Sequence, residues 1–212
     1  MSEYKQLILA NMAWQVEKHQ DDPDYFSRHA GPENPVFLWI GSSDSRVVPE
    51  RITRSPPGSL YIHRNLGNLV SESDLNLMSA VEHALVDLGV KHIIVCGNHD
   101  CVTLGRALRG DAKDLIDQWL APAREVYDNH LEEIDAMSDE ESRLSRFVEC
   151  NVRDQLVRLA RSGPVQAAFA RGQDVKLHGW VYDLRDGLIK PLMELDRHSD
   201  LADVPRPTSV LV

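Results

Sequence analysis

Four short apolar runs, each closed off by turn residues, constrain this chain more than anything else in it. They cover residues 35–41 (PVFLWIG), 59–63 (SLYIH), 91–96 (KHIIVC) and 174–182 (DVKLHGWVY). Runs of this length bounded by Gly, Pro, Ser or Asn read as buried strands. Between the second and third, residues 73–88 set Leu75, Leu77, Met78, Val81, Leu85 and Leu88 at helical spacing. Strand, helix, strand in this order predicts an α/β fold: a central, mainly parallel sheet of four strands flanked by helices.

The rest of the chain reads as helical cover. Residues 3–20 carry Tyr4, Leu7, Ile8, Met12, Trp14 and Val16 near a helical period, which predicts an amphipathic N-terminal helix. A second helix restarts with Asp22 as cap and Pro23 in its first turn. Residues 112–172 predict two helices around Trp119 and Val126. An acidic connector from Glu132 to Glu141, read as a solvated loop, leads to a long helix over about 138–162. A last helix opens at Pro164 and stops near Gly172. The stretch ESRLSRFVEC within the long helix reads as a solvated face. No repeat or linker divides the chain. It is read as one domain over 1–212, with a helical arm at 1–34 and an irregular tail at 196–212 that holds Pro205 and Pro207.

Composition excludes several classes of function. With 33 acids against 23 bases, the net charge is -10. A chain that acidic does not track a phosphate backbone by charge, so no nucleic-acid partner is expected. No apolar stretch is long enough for a membrane span, and the N-terminus lacks the layout of a secretion signal. The three cysteines, Cys96, Cys101 and Cys150, cannot form a disulfide framework, which fits reduced thiols and a cytoplasmic location.

Two polar segments sit where ligands of open α/β sheets bind, just past the carboxyl ends of strands. The first is Ser42-Ser43-Asp44-Ser45-Arg46 and the second is Asn98-His99-Asp100-Cys101. Alone, the first reads as a helix-capping turn. The second reads as a polar loop, a metal site or a thiol site.

Taken together with YIHRNLGNLV and HGWVYDLRDG, these segments fall in the order and spacing of the β-carbonic anhydrases, which the chain resembles over almost its whole length. That family carries Cys-x-Asp-x-Arg after its first strand and His-x-x-Cys after its third. The resemblance implies the family's fold, with a dimer or a tetramer of dimers built partly by the N-terminal helices. The exposed apolar stripe of residues 4–16 needs such cover. It further implies a zinc site at positions 42, 44, 98 and 101, where this chain has Ser42, Asp44, Asn98 and Cys101. Two of those four are not the family's donors. A serine hydroxyl and an asparagine amide are poor zinc ligands, so no cofactor is expected unless the site is rearranged, with His99 as the substitute ligand to consider. Val102 and Thr103 stand in place of the two glycines that usually follow the cysteine.

The remaining matched positions carry the functional expectations. Asp44 and Arg46 are the family's switch pair and the candidates for catalysis, either as a fixed ion pair or with Asp44 as general base. Trp39, Arg64 and Tyr182 match a non-catalytic bicarbonate pocket of some bacterial members, where an arginine beside aromatic donors holds a small anion. The chain therefore reads as a divergent homologue without ordinary zinc-dependent CO2 hydration that binds bicarbonate or a similar anion. The alternative is an active carbonic anhydrase or related lyase or hydrolase, using a rearranged metal site or a metal-free Asp44/Arg46 pocket.

Overall fold

A computed structural model describes residues 2–205. The chain divides into two compact units, residues 1–34 and 35–212. In the first, α1 (Glu3–Asp21) bears no buried residue, and its Trp14 meets Tyr25 and Phe26 of α2 (Tyr25–His29) edge to face. Helix α2 starts later than the sequence predicts. Asp22 is drawn off by a pair with Arg28, and Asp24 takes the cap position.

The second unit is built on a five-stranded sheet in the order β2-β1-β3-β4-β5. The strands are β1 (Phe37–Ser42), β2 (Leu60–Asn65), β3 (His92–Asn98), β4 (Lys176–Tyr182) and β5 (Ile189–Leu195). The first four pair in parallel, and β5 is an antiparallel edge strand beyond the four that the sequence predicts. Its Pro191 is tolerated because it lies on an edge strand.

The helices follow in order: α3 (Pro49–Ile52), α4 (Leu75–Val86), α5 (Val102–Arg109), α6 (Asp114–Trp119), α7 (Ala121–Asn129), α8 (Leu131–Asp135), α9 (Glu140–Arg161) and α10 (Gly163–Ala170). Asp74 caps α4 by accepting from the backbone N–H of Asn76 and Leu77, and Asp139 caps α9 from Ser142. Two expectations fail here. The acidic connector is partly helical, as α8. The 141–150 stretch is not a solvated face, since Phe147, Val148 and Cys150 are fully buried. Helix α9 lies across β3 and β4, so its inward stripe must be apolar.

The helix packs close. A Cβ on Gly97 would sit 2.7 Å from Val152 Cγ2, which no side chain survives without a shift. The main core spreads over this face of the sheet, while Trp39, Ile94 and Cys96 form a smaller cluster with Trp180 and Tyr182 on the other. In the described part of the tail, residues 196–205 form turns alone. Pro207 lies outside the described residues. No described helix is long and apolar enough to cross a membrane.

Candidate functional site

Strand order reverses between β1 and β3, because β1 leads to β2 on one side and β3 lies on its other side. Such a switch point opens a crevice at the carboxyl ends of the two strands. Ser42 ends β1 and Asn98 ends β3. Asp100 then takes a left-handed turn, with φ 61°, and brings Cys101 back to the crevice as the cap of α5. Aspartate tolerates that conformation better than most residues. Ser42, Asp44, Arg46, Cys101, Val102 and Thr103 line a pocket of about 280 Å³ there.

Hydrogen bonds fill the centre. Arg46 grips Asp44 through Nε to Oδ1 at 2.9 Å and Nη2 to Oδ2 at 2.6 Å, with the Arg46 backbone N–H adding a third bond at 3.0 Å. Asn98 Nδ2 donates to Asp44 Oδ2 at 3.2 Å. Ser42 Oγ accepts from the Gly67 N–H at 3.4 Å and lies 3.8 Å from Cys101 Sγ. The Arg46 hydrogen bonds hold the Asp44 carboxyl below its usual value against the opposing effect of partial burial. An aspartate held down in this way is a weak base. Burial pushes the Cys101 thiol up, so it stays protonated more readily than a free cysteine.

Two of these four positions do not carry donors that zinc takes. The metal takes thiolate sulfur, imidazole nitrogen or carboxylate oxygen. Of the residues converging here, Ser42 offers a neutral hydroxyl, and the amide nitrogen of Asn98 is turned to Asp44 as a donor, with no lone pair to give.

His99, the substitute ligand considered from sequence, faces away from this centre. Its Nδ1 lies 3.2 Å from Asp183 Oδ2 and its Nε2 lies 3.5 Å from Glu149 Oε1. Neighbouring residues of an extended chain point to opposite sides, and His99, whose N–H carries the β3–β4 ladder one residue past the strand by bonding the Tyr182 carbonyl, keeps that alternation with Asn98. Asp183 also accepts from Arg185 and Lys190, and these bonds hold its carboxyl far below the ordinary range. Burial alone would lower His99, but Glu149 and Asp183 outweigh it and raise its pKa. Arg146 pairs with Glu149 at 2.7 Å and completes the network. Sequence reasoning does not single out Asp183, Glu149 or Arg146. The one available signal was the position of Asp183 directly after β4, at the same sheet end as the other segments.

Trp39, Arg64 and Tyr182 lie on the sheet face opposite the main core. Gly41 pairs with Arg64 and Trp39 with Ile62, while Trp39 and Tyr182 share the smaller apolar cluster. Arg64 donates from Nε to the Ser42 carbonyl at 3.0 Å and from Nη2 to the Asp44 carbonyl. Among the described residues, no carboxylate lies within ion-pair distance of it.

Comparison with known proteins places this geometry. A family model described as carbonic anhydrase matches residues 37–189. A carbonic anhydrase of Emericella nidulans is 36% identical over 203 residues, which cover 96% of this chain and 89% of that protein. A Coccomyxa β-carbonic anhydrase, solved in complex with acetazolamide, superposes with a TM-score of 0.87 at 35% identity, over 95% of this chain and 96% of that one. One of two β-carbonic anhydrases from Sordaria macrospora, described as tetrameric, gives 0.84 at 37% identity, over 89% and 96%.

Proposed function

Because the chain belongs to the β-carbonic anhydrase family, we propose that it is a divergent member in which hydrogen bonds have replaced the zinc of the catalytic centre, and that it binds a small anion rather than hydrating CO2. One observation carries the reading. Asn98, at the family's histidine position, donates to Asp44 and so satisfies the carboxylate that a metal would otherwise take. With Ser42 at the cysteine position, a single thiol and a carboxylate already paired to Arg46 remain. Two such donors are too few for a tight site. Without a metal to lower the pKa of a bound water, hydration has no nucleophile at neutral pH.

Arg64 supports the anion. Its charge meets two carbonyl oxygens and no carboxylate among the described residues, on the sheet face that also carries Trp39 and Tyr182. Bicarbonate, planar and able to accept two hydrogen bonds, suits such a guanidinium. The exposed apolar residues of α1 and the tetrameric Sordaria relatives support a homodimer or a tetramer. Three buried cysteines outside any disulfide support a reducing, cytoplasmic setting.

Stopped-flow CO2 hydration tests the proposal. The protein supplied with zinc is expected to show no rate above buffer, and bicarbonate is expected to raise its thermal stability in a way that Arg64→Gln abolishes. Fast hydration that disappears in Cys101→Ser would overturn the reading of the centre. A bicarbonate effect that survives Arg64→Gln would overturn the anion site.

A further inference from the structure

At the junction of α7, α8 and α9, away from the sheet ends, a second group of donors converges. His130 closes α7, Glu133 lies in α8 one turn later, and Cys150 sits on the inward stripe of α9. One ligand atom from each falls within 4.8 Å of the other two. His130 is 4% exposed and Cys150 is fully buried.

Two features distinguish this group from a chance cluster. The first is the state of His130. Its Nε2 lies 3.2 Å from Asp154 Oδ1, while its buried Nδ1 makes no hydrogen bond and faces Glu133 Oε2 at 3.5 Å. Metal-ligating histidines are held in this manner, with a carboxylate on one ring nitrogen and the other nitrogen aimed at the ion. Asp154 lies one helical turn after Cys150, so α9 presents the thiol and the orienting carboxylate on a single stripe. The second feature is charge. Arg146 binds Glu133 through Oε1, and Oε2 faces His130 Nδ1.

We propose that His130, Glu133 and Cys150 form a binding site for a zinc-like divalent cation, with Asp154 as the positioning residue for His130. Imidazole, thiolate and carboxylate together make a borderline-soft set that suits Zn2+ or Co2+ and not Ca2+ or Mg2+. The Glu133 carboxylate and a Cys150 thiolate would face a divalent ion with two negative charges, and Asp154 and Arg146 bring one further charge of each sign, which avoids a net buried charge. Zinc needs these donors at about 2.0–2.3 Å, so the side chains must close around the ion. Glu133, bound to Arg146, is the least buried of the three. Three protein donors leave a fourth position for water. The site is distinct from the zinc position of the family, and it stands whether or not the chain hydrates CO2.

Cobalt titration of the full-length protein, stripped of metal with a chelator, tests the site. About one Co2+ per chain is expected, with the near-ultraviolet charge-transfer band of a thiolate ligand. The band is expected to vanish in Cys150→Ser and to persist in Cys101→Ser. Asp154→Asn is expected to weaken binding about 10–100-fold, the usual cost of losing such an orienting partner. Glu133→Gln, at the more exposed edge, is expected to weaken it at least as much while the circular dichroism of the fold is retained. This variant decides the matter if Cys150→Ser fails to fold. Absence of bound cobalt, unchanged affinity in Glu133→Gln, or a band that depends on Cys101 and not on Cys150 would each overturn the proposal.

Discussion

Asn98 and His99 are neighbours at the end of β3, yet they serve two polar centres of opposite character. On the Asn98 side, Ser42, Asp44 and Cys101 meet in the crevice, and among the described residues Asp44 with Arg46 is the one ion pair there. On the His99 side, Asp183 and Glu149 are enclosed by His99, Arg185, Lys190 and Arg146. The first centre has the placement of a metal site and the chemistry of a hydrogen-bond cluster. The second has dense, mutually compensating charge. The difference teaches that backbone placement and donor chemistry are separable. Strand ends and a left-handed Asp100 bring the four positions together whatever side chains they carry. Donor identity then decides what the assembled positions can hold.

The largest expected effect comes from restoring the donors. Ser42→Cys with Asn98→His should add close to one zinc per chain, and Cys101→Ser on that background should remove the increment. Tight binding at such a site is worth on the order of 10 kcal/mol. CO2 hydration is expected to return in part, because Val102 and Thr103 line the pocket wall. If mass spectrometry finds no added zinc, placement at the strand ends is not sufficient and the separation of geometry from chemistry fails.

A smaller effect should distinguish the two sides by stability. Removing one member of a buried charge network leaves its partners unpaired, so His99→Gln is expected to cost about 3 kcal/mol. Asn98→Ala removes a neutral donor from a carboxylate that keeps its Arg46 bonds, and should cost about 1 kcal/mol. Urea unfolding measures both. Equal costs would show that the His99 side is no more highly charged in effect than the Asn98 side.

Much of this was legible in sequence, for stated reasons. Four strands could be read because parallel strands buried on both faces are short apolar runs. The edge strand β5 could not, because Lys190, Pro191 and Glu194 interrupt its pattern and an edge position tolerates them. Ser42, Asp44, Asn98 and Cys101 were legible as one site through the resemblance to the β-carbonic anhydrases, since strand ends alone locate only two separate polar segments. The opposite orientation of Asn98 and His99 follows from strand alternation alone. The partners of His99 were not legible. Glu149 and Arg146 lie on a helix remote in sequence, and only the packing of α9 on β3 turns an acidic, exposed-looking stretch inward. For the same reason Glu133 reads as a loop acid until α8 is seen to form.

The smallest predicted effect is the change of the His99 cost with pH, and its sign follows from the network. Glu149 and Asp183 raise the His99 pKa above its ordinary 6.5 despite burial. A group raised in the folded state stabilises fully below its unfolded pKa and loses that contribution as pH rises through the folded value. Asp183 and Glu149 are lowered, so their contribution has the opposite sign. It is present above their unfolded values of 3.8 and 4.5 and is lost as pH falls through the folded ones. The charges of His99 and its two acids therefore coexist best in the weakly acidic window between these limits. The cost of His99→Gln should be greatest near about pH 5.5 and should shrink towards about pH 9, whereas that of Asn98→Ala should stay flat over the same range, since the Asn98 amide bonds the Asp44 carboxylate, which is held low, and the backbone carbonyl of His99 rather than its ring. Unfolding curves for both variants and the parent protein at the two pH values provide the check. A His99→Gln cost that does not change would mean that folding leaves the His99 pKa unshifted, and one that rises would mean that His99 is held neutral; in either case the two sides of β3 would differ in packing and not in charge.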